Sequence, residues 1–454
     1  MYIMLKSAVL FLTLSFVLFK LYSRYISITI DLPDEEYDFI IVGGGLTGSV
    51  IARRLTDNTS FKVLILEAGP EDGYDPFVNI PLLGPLNVGI WNDWKFKSES
   101  QSASLHMKTD NVEHLARGKL LGGTSSINFQ YYMRGSPSDY DSWESEGNVG
   151  WGFGSVLKYF IKSETSNHFY PIDERYHGHE GPLHVTHSEK IGMSDVFLNA
   201  AKETGLDYVV DHNAKDIIGA AVIQTSAKRG LRQSASTSYL RSIAHLRRDR
   251  LHIVADAHVT KILIKEREDG IKSASGVEFI KNGKTISVNA KREVVLSAGV
   301  FGTPQILMLS GIGPAKHLLE HGISVVKDLP GVGSNYQDHM FAPVYFHAKN
   351  LSFGDTAGIK EILYNFPGWL WKGSGPLGNT GGVFANLKFD KLERKKTPDF
   401  QAIVIPAEAD TFLFRLLISN YLYKDNIFEE EIESETREEW CAFFIFHSLC
   451  FTTP

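Results

Sequence analysis

Cysteine is nearly absent: the chain has two, Cys441 and Cys450, both within its last fourteen residues. Everything before them is without a thiol, which excludes a disulfide framework, a C-x-x-C redox pair and a cysteine-ligated metal site. A surplus of positive charge is also missing, since 46 Lys and Arg stand against 53 Asp and Glu for a formal net charge of −7. Nucleic acid is therefore not an expected partner, because phosphate backbones are held by basic surfaces. A run long enough to span a membrane does not appear at the N-terminus either. The uncharged stretch Ser7–Phe19, preceded by Lys6 and closed by Lys20 and Arg24, falls short of the roughly 20 residues that a spanning helix needs. It has the length of a signal-peptide core. Residues 1–30 are expected to be a signal peptide or, because no clean small-residue cleavage site follows, an uncleaved anchor. The expected location is secreted and extracellular, with membrane contact only if that segment is retained. The sequons Asn58-Thr59-Ser60 and Asn350-Leu351-Ser352 are compatible with that route but are near chance in a chain of 454 residues.

Glycine, by contrast, is plentiful, with 40 residues, and its placement is informative. Asp38-Phe39-Ile40-Ile41-Val42 is a short apolar run suited to a strand buried on both faces of a parallel sheet. Gly43, Gly45 and Gly48 follow at G-x-G-x-x-G spacing, and Leu46 to Leu55 reads as a helix. Lys62-Val63-Leu64-Ile65-Leu66 is a second buried strand that ends on Glu67. In this order the first glycine permits a tight turn, the second lets backbone N–H groups approach a pyrophosphate, and the third lets helix and strand pack closely. The helix N-terminus offers unpaired donors to the phosphates, and the carboxylate of Glu67 stands where ribose hydroxyls are held. The stretch predicts a dinucleotide and leaves NAD and FAD open.

Glu71 to Val112 is rich in Pro, Gly, Trp and polar residues and has no sustained period, which reads as a lid or cofactor cover. Arg117 to Trp143 then brings Gly118, Gly122 and Gly123 before the hydroxyl run Thr124-Ser125-Ser126 and Asn128. Exposed N–H groups and hydroxyls of this kind hold phosphates or the polar edge of a ring. Helices are expected over Gly150 to Ser163 and Ser194 to Thr204, and hairpins over Ala257 to Val288 at the turn signals Asp269-Gly270 and Asn282-Gly283. These hairpins read as a small antiparallel meander, followed by a separate buried strand at Val294-Val295-Leu296. Thr303-Pro304 is the expected start of a further helix. His177 and His179 form an H-x-H, which is a poor ligand set, so no metal is expected.

The opening fingerprint, Arg117–Trp143 and the segment SAGVFGTPQILMLSGIGP at Ser297–Pro314 together resemble the glucose–methanol–choline (GMC) flavoprotein oxidoreductases. Within that family the likeness is to the insect FAD-dependent glucose-dehydrogenase-like group. The resemblance implies FAD rather than NAD. It also implies an α/β fold in which a Rossmann-like FAD-binding domain is interleaved with an α+β substrate domain, incomplete here. The FAD-binding domain would comprise residues 37–155, with the lid loop, and 226–342. The substrate domain would comprise 156–225 and 343–440, leaving 441–454 as an atypical tail. The fingerprint residues Gly43, Gly45, Leu46, Thr47 and Gly48 would take the diphosphate, and Glu67 with Ala68 the adenosine ribose. Arg117, Leu121, Gly122, Gly123, Thr124, Ser125 and Asn128 would form a second wall of the same site. By the same resemblance Val259 would hold the adenine edge through its backbone, and Ala298 and Gly299 would let the chain pass close to the cofactor. Asp338 and His339, with Asn335, would approach the diphosphate and flavin ring.

Two departures from the family pattern stand out: Arg250-Leu251 replaces a frequent Asn-Leu pair, and Phe384 replaces an acidic residue. In the family the substrate hydroxyl is handled by a histidine and a second histidine or asparagine near the C-terminus. This chain ends at Pro454, on the order of 150 residues earlier than a usual member. His447 lies in a segment that does not match, so the catalytic residues are expected to be missing from this form. The expected partners are a small alcohol or sugar as hydride donor and a quinone, a dye-like acceptor or oxygen as electron acceptor. Two alternatives are a non-catalytic flavin-binding or interaction protein and an NAD-dependent dehydrogenase. The second is supported by the fingerprint but by neither later motif.

Overall fold

A computed structural model describes residues 27–73, 75–101, 109–190, 193–347, 359–378, 382–388, 397–406 and 440–447. The N-terminal apolar run, the sequon at Asn350 and the acidic run Glu429 to Glu439 lie outside the described residues. In chain order the strands are β1 (Glu36–Val42), β2 (Val63–Leu66), β3 (Glu164–Ser166), β4 (Leu183–His187), β5 (Gly219–Val222) and β6 (Gln224–Thr225). They continue with β7 (Leu251–Val254), β8 (His258–Glu266), β9 (Lys272–Lys281), β10 (Lys284–Leu296), β11 (Met340–His347), β12 (Val383–Leu387), β13 (Phe400–Pro406) and β14 (Trp440–His447). The main helices are α1 (Leu46–Leu55), α2 (Phe153–Ser163), α3 (Met193–Glu203) and α4 (Gly299–Leu309). Among the described residues no helix is long and apolar enough to cross a membrane.

The chain divides into two compact units. The first comprises residues 1–76, 119–123 and 235–334, and the second 77–118, 124–234 and 335–454. Residues 77–112 of the lid stretch and residues 124–155, grouped with the nucleotide fold in the sequence reading, thus fall in the second unit.

The first unit is built on a six-stranded sheet in the order β7-β2-β1-β10-β9-β8. β7, β2, β1 and β10 run parallel, and β10, β9 and β8 are antiparallel. Two-residue periodicity sorts the apolar strands into two cores. Ile40, Val42, Leu64 and Leu66 face one, with Phe279 and Ile306, whereas Phe39, Ile41, Val63 and Ile65 face the other, with Ala52 and Leu121. Each such side chain removed from water contributes roughly 1.5–3 kcal/mol. That is why the uninterrupted runs of β1 and β2 were legible as strands covered on both faces.

The expected hairpins form, with Asn282 and Gly283 both at positive φ in the tight turn between β9 and β10. They are not a separate meander. β10 is one strand of thirteen residues whose first half pairs with β9 and whose second half runs beside β1. A second correction concerns α4, which starts at Gly299 with Pro304 inside it rather than at the expected Thr303-Pro304. The turn after β10 sets the helix start, and local capping preference yields to it.

In the second unit a five-stranded sheet runs β11-β14-β13-β12-β5, and a three-stranded one runs β3-β4-β6. β14 corrects the sequence reading of residues 441–454 as a tail. Trp440–His447 pairs antiparallel with β11 on one side and β13 on the other. A continuous apolar run without turn residues suits a central strand as well as a tail, and only the pairing distinguishes them.

Helix α1 seats on the first sheet at Gly48. A Cβ there would lie 2.1 Å from the Gly43 carbonyl oxygen and 2.7 Å from Ser297 Oγ, both fixed parts of the turn. Gly48→Ala is expected to lower the unfolding free energy by about 2–3 kcal/mol, read as a shifted urea midpoint without a change in slope.

Candidate functional site

The first unit presents a glycine-lined turn where β1 ends. Gly43 has φ +96, and a Cβ on it would stand 2.5 Å from the Ser297 carbonyl oxygen, so only glycine allows the chain to turn here. Its N–H donates to the Leu66 carbonyl at 2.8 Å, which ties the turn to β2. Ser297 Oγ donates to the carbonyls of Val42 and Gly43, at 3.0 Å each, and ties the turn to the end of β10. Gly45 precedes α1 in extended conformation, with no side chain capping the helix and no acidic residue in its first turn. Leu46 and Thr47, the first two helical residues, are exposed. No side chain caps the N–H groups of that turn, the arrangement in which helix N-termini receive anions.

The second-wall residues that belong to this unit fold directly onto the turn. The Gly122 N–H donates to the Gly44 carbonyl at 2.8 Å, and Leu121 is wholly buried beside Gly44. A Cβ on Gly123 would lie 2.9 Å from Gly45 Cα, whereas one on Gly45 would meet nothing closer than Gly123 Cα at 3.8 Å. One glycine is thus required by the protein's own packing, and the other keeps space open above the helix N-terminus.

Glu67 ends β2 with its carboxylate caged by backbone. Oε2 accepts from Gly44 N–H at 2.8 Å and Oε1 from Gly69 N–H at 2.9 Å. Burial raises its pKa to about 7, while the N–H groups of Gly69, Gly44 and Ala68 and the charge of Lys119 pull the other way. Three N–H donors leave about one of the carboxylate's four lone-pair sites for a further donor. Val259 is buried in β8 opposite Phe279, and Ala298 and Gly299 stand at the start of α4 just beyond Ser297.

The other predicted residues belong to the second unit. Arg117 Nη2 lies 3.3 Å from Tyr336 Oη and 3.6 Å from Asp338 Oδ2, and Tyr336 donates to that same oxygen at 2.7 Å. His339 is exposed, and its N–H donates to Asp338 Oδ1, so the adjacent pair is a local turn rather than an acid–base couple. Thr124 Oγ1 accepts from Gly118 N–H at 3.2 Å. The Asn128 side-chain oxygen accepts from Arg232 Nη1 at 2.8 Å and from Gln130 N–H at 3.1 Å. Asn335 has positive φ and its side-chain oxygen accepts from Gln337.

Arg232 is a residue the sequence reading missed. It is buried, donating from Nε to the Val78 carbonyl at 2.8 Å and from Nη1 to the Ser125 carbonyl at 3.1 Å as well as to Asn128. Burial alone lowers its pKa to about 9. It fixes Ser125 and Asn128 from beneath, and Gly84 makes room for it, since a Cβ there would lie 2.1 Å from Nη2. Its sequence signal was only an arginine before a serine-rich helix start.

Because the folded pKa of Glu67 exceeds its ordinary value of 4.5, its contribution to stability is full below that value and is lost as pH rises through about 7. Flavin-free protein is expected to melt at falling temperature over that window. Glu67→Gln should flatten this slope and also lower stability, because an amide nitrogen then faces a backbone N–H.

The geometry has counterparts among known proteins. A family model described as GMC oxidoreductase matches residues 37–341. The oxygen-dependent choline dehydrogenase of Rhizobium etli is 36% identical over 386 residues, covering 82% of this chain and 65% of the relative. The ecdysone oxidase of Bombyx mori is 39% identical over 321 residues, covering 70% of this chain and 46% of the relative. An FAD-dependent oxidoreductase from Chaetomium thermophilum superposes with a TM-score of 0.72 at 27% identity, over 90% of this chain and 74% of that one. A formate oxidase from Aspergillus oryzae, studied for its FAD modification, does so with a TM-score of 0.76 at 24% identity, over 93% and 74%, a likeness of fold. The chain thus spans about 65% of the length of the choline dehydrogenase it matches. With the glycine turn, the caged carboxylate of Glu67 and a family match running from β1 into β11, the chain belongs to the GMC oxidoreductases, whose dinucleotide is FAD.

Proposed function

We propose that this chain is the flavin-holding part of an FAD-dependent oxidoreductase that takes a hydride from a CH–OH donor, a small alcohol or sugar. One observation carries this reading: the turn Gly43–Gly48, closed by Gly122 and Gly123 and flanked by the caged Glu67. Gly45 and the first turn of α1 would hold the diphosphate, and Glu67 the adenosine ribose. When bound, FAD supplies the electron sink for the donor's hydride. The residues of this chain bind and orient it, and no general base is assigned among them.

The relatives' names support alcohol donors of differing size, choline and ecdysone among them. They also favour oxygen among the acceptors weighed, beside a quinone or a dye-like molecule. An insect glucose-dehydrogenase-like specificity remains part of the proposal and rests on the motif resemblance alone. So does secretion, which rests on Lys6 and the apolar run Ser7–Phe19.

Purified protein is expected to carry a flavin absorbance that denaturation releases as FAD. A colourless, folded protein that binds NAD instead would overturn the reading. Gly45→Ala gives the sharper test, because its one added carbon, the Cβ, meets no protein atom closer than 3.8 Å. It is expected to leave the unfolding free energy within about 0.5 kcal/mol of wild type and to reduce bound FAD at least tenfold. Reduction of a dye acceptor by glucose, choline and simple primary alcohols then separates the donor classes. Glucose alone supporting turnover would favour the insect-type specificity.

A further inference from the structure

The second unit holds a buried polar group that the flavin reading does not use. Glu164 opens β3, which pairs parallel with β4, and β4 ends on His187 opposite Gln224 of β6. The chain leaving β3 brings back His168 and, after a short turn, His177. The side chains of Glu164, His168 and His177 are at most 1% exposed, and one donor atom from each lies within 4.8 Å of the others. His168 Nε2 is 3.4 Å from Glu164 Oε1, and neither ring nitrogen of His168 has a hydrogen-bond partner. A buried imidazole with one long ion-pair contact and no well-formed hydrogen bond is costly, and it calls for something to bind.

We propose that Glu164, His168 and His177 form a site for a divalent first-row transition ion, with Zn2+ the ion that suits them best. Imidazole nitrogen and carboxylate oxygen are the donors such an ion prefers. Zinc bonds of about 2.0–2.1 Å in tetrahedral geometry set donors about 3.4 Å apart, which is the His168–Glu164 separation already present. His177 Nδ1 is 2.8 Å from Glu164 Oε1, so that pair opens by about 0.6 Å to admit the ion. The proton between them leaves to solvent.

The surroundings are already those of a metal site. His177 Nε2 lies 2.9 Å from Asp211 Oδ2, which gives the carboxylate–histidine pair that orients ligating imidazoles. Asp211 is itself fixed by Gln224 Nε2 at 3.0 Å and by the N–H groups of Asn213 and Asp173. Arg134 occupies Glu164 Oε2, leaving Oε1 as the ligand atom. His187, whose ring centre is 4.5 Å from that of His168, accepts at Nδ1 from Tyr170 N–H. Its proton therefore sits on Nε2, a buried donor with no partner.

This departs from the sequence expectation of no metal, which weighed only His177 and His179. His179 points elsewhere, exposed and 2.8 Å from Glu174, and the missing carboxylates come from Glu164 and Asp211. The proposal does not depend on the flavin reading.

Full-length protein, stripped with a chelator and reloaded with zinc chloride, is expected to retain about one zinc per chain after gel filtration. His168→Gln should weaken zinc binding at least tenfold in competition with a colorimetric chelator. The metal-free melting temperature is measured beside it, since the buried ring also packs against His177 and His187 and lies 3.4 Å from Glu164 Oε1. His179→Gln should bind as wild type. Wild-type loading below about a tenth of an ion per chain, or unchanged affinity in His168→Gln, would overturn the site. If His168→Gln does not fold, cobalt-loaded wild type decides. Intense visible bands of a tetrahedral ion support the site, and a weak octahedral spectrum rejects it.

Discussion

The nucleotide fold depends on one steric constraint, the contact between the turn after β1 and the first turns of α1. Gly43, Gly48 and Ser297 meet there with no room for a side chain, and the carbonyls of Val42 and Gly43 are tied by Ser297 to the end of β10. That contact sets where α1 begins, and so where its unpaired N–H groups point. The opposite position, Gly45, is free of such contact. The same tripeptide of the fingerprint thus holds one glycine that the protein's own packing requires and one beside open space.

Buried charge is handled in three ways. Glu67 is met by the backbone N–H groups of Gly44 and Gly69 at the end of β2. Arg232 is met by carbonyl oxygens and an amide oxygen, which spends its charge on fixing Ser125 and Asn128. Glu164 and Asp211 instead share His177 between them, with Arg134 on the far oxygen of Glu164. Burial penalises each group, and hydrogen bonding decides how it is offset.

The parts of the site that were legible are those whose chemistry is local. β1, Gly43–Gly48, α1, β2 and Glu67 follow one another within a single supersecondary unit, so spacing carried the geometry. Gly122 and Gly123 were legible as glycines beside hydroxyls, but their seating against Gly44 and Gly45 was not, since more than seventy residues separate them. Arg232 escaped notice for the same reason, as its partners Val78, Ser125 and Asn128 are over a hundred positions away. The H-x-H reading failed because Glu164 and Asp211, which meet His177, lie thirteen and thirty-four residues from it.

Strand assignments divide along the same line. Alternation and turn residues determined the hairpins around Asn282-Gly283, whereas the continuity of β10 across two sheet partners, the inclusion of Pro304 in α4 and the pairing of β14 were decided by tertiary structure. By itself the sequence from β1 to Glu67 determined a dinucleotide cradle, because a glycine's missing side chain and a carboxylate nineteen residues on are local facts, and FAD rather than NAD came only from the resemblance of the later motifs. Which backbone N–H groups cage Glu67, which arginine braces the hydroxyl run, and which histidine meets two carboxylates were decided only when distant segments packed. Those contacts are made through space, and spacing along the chain does not encode them.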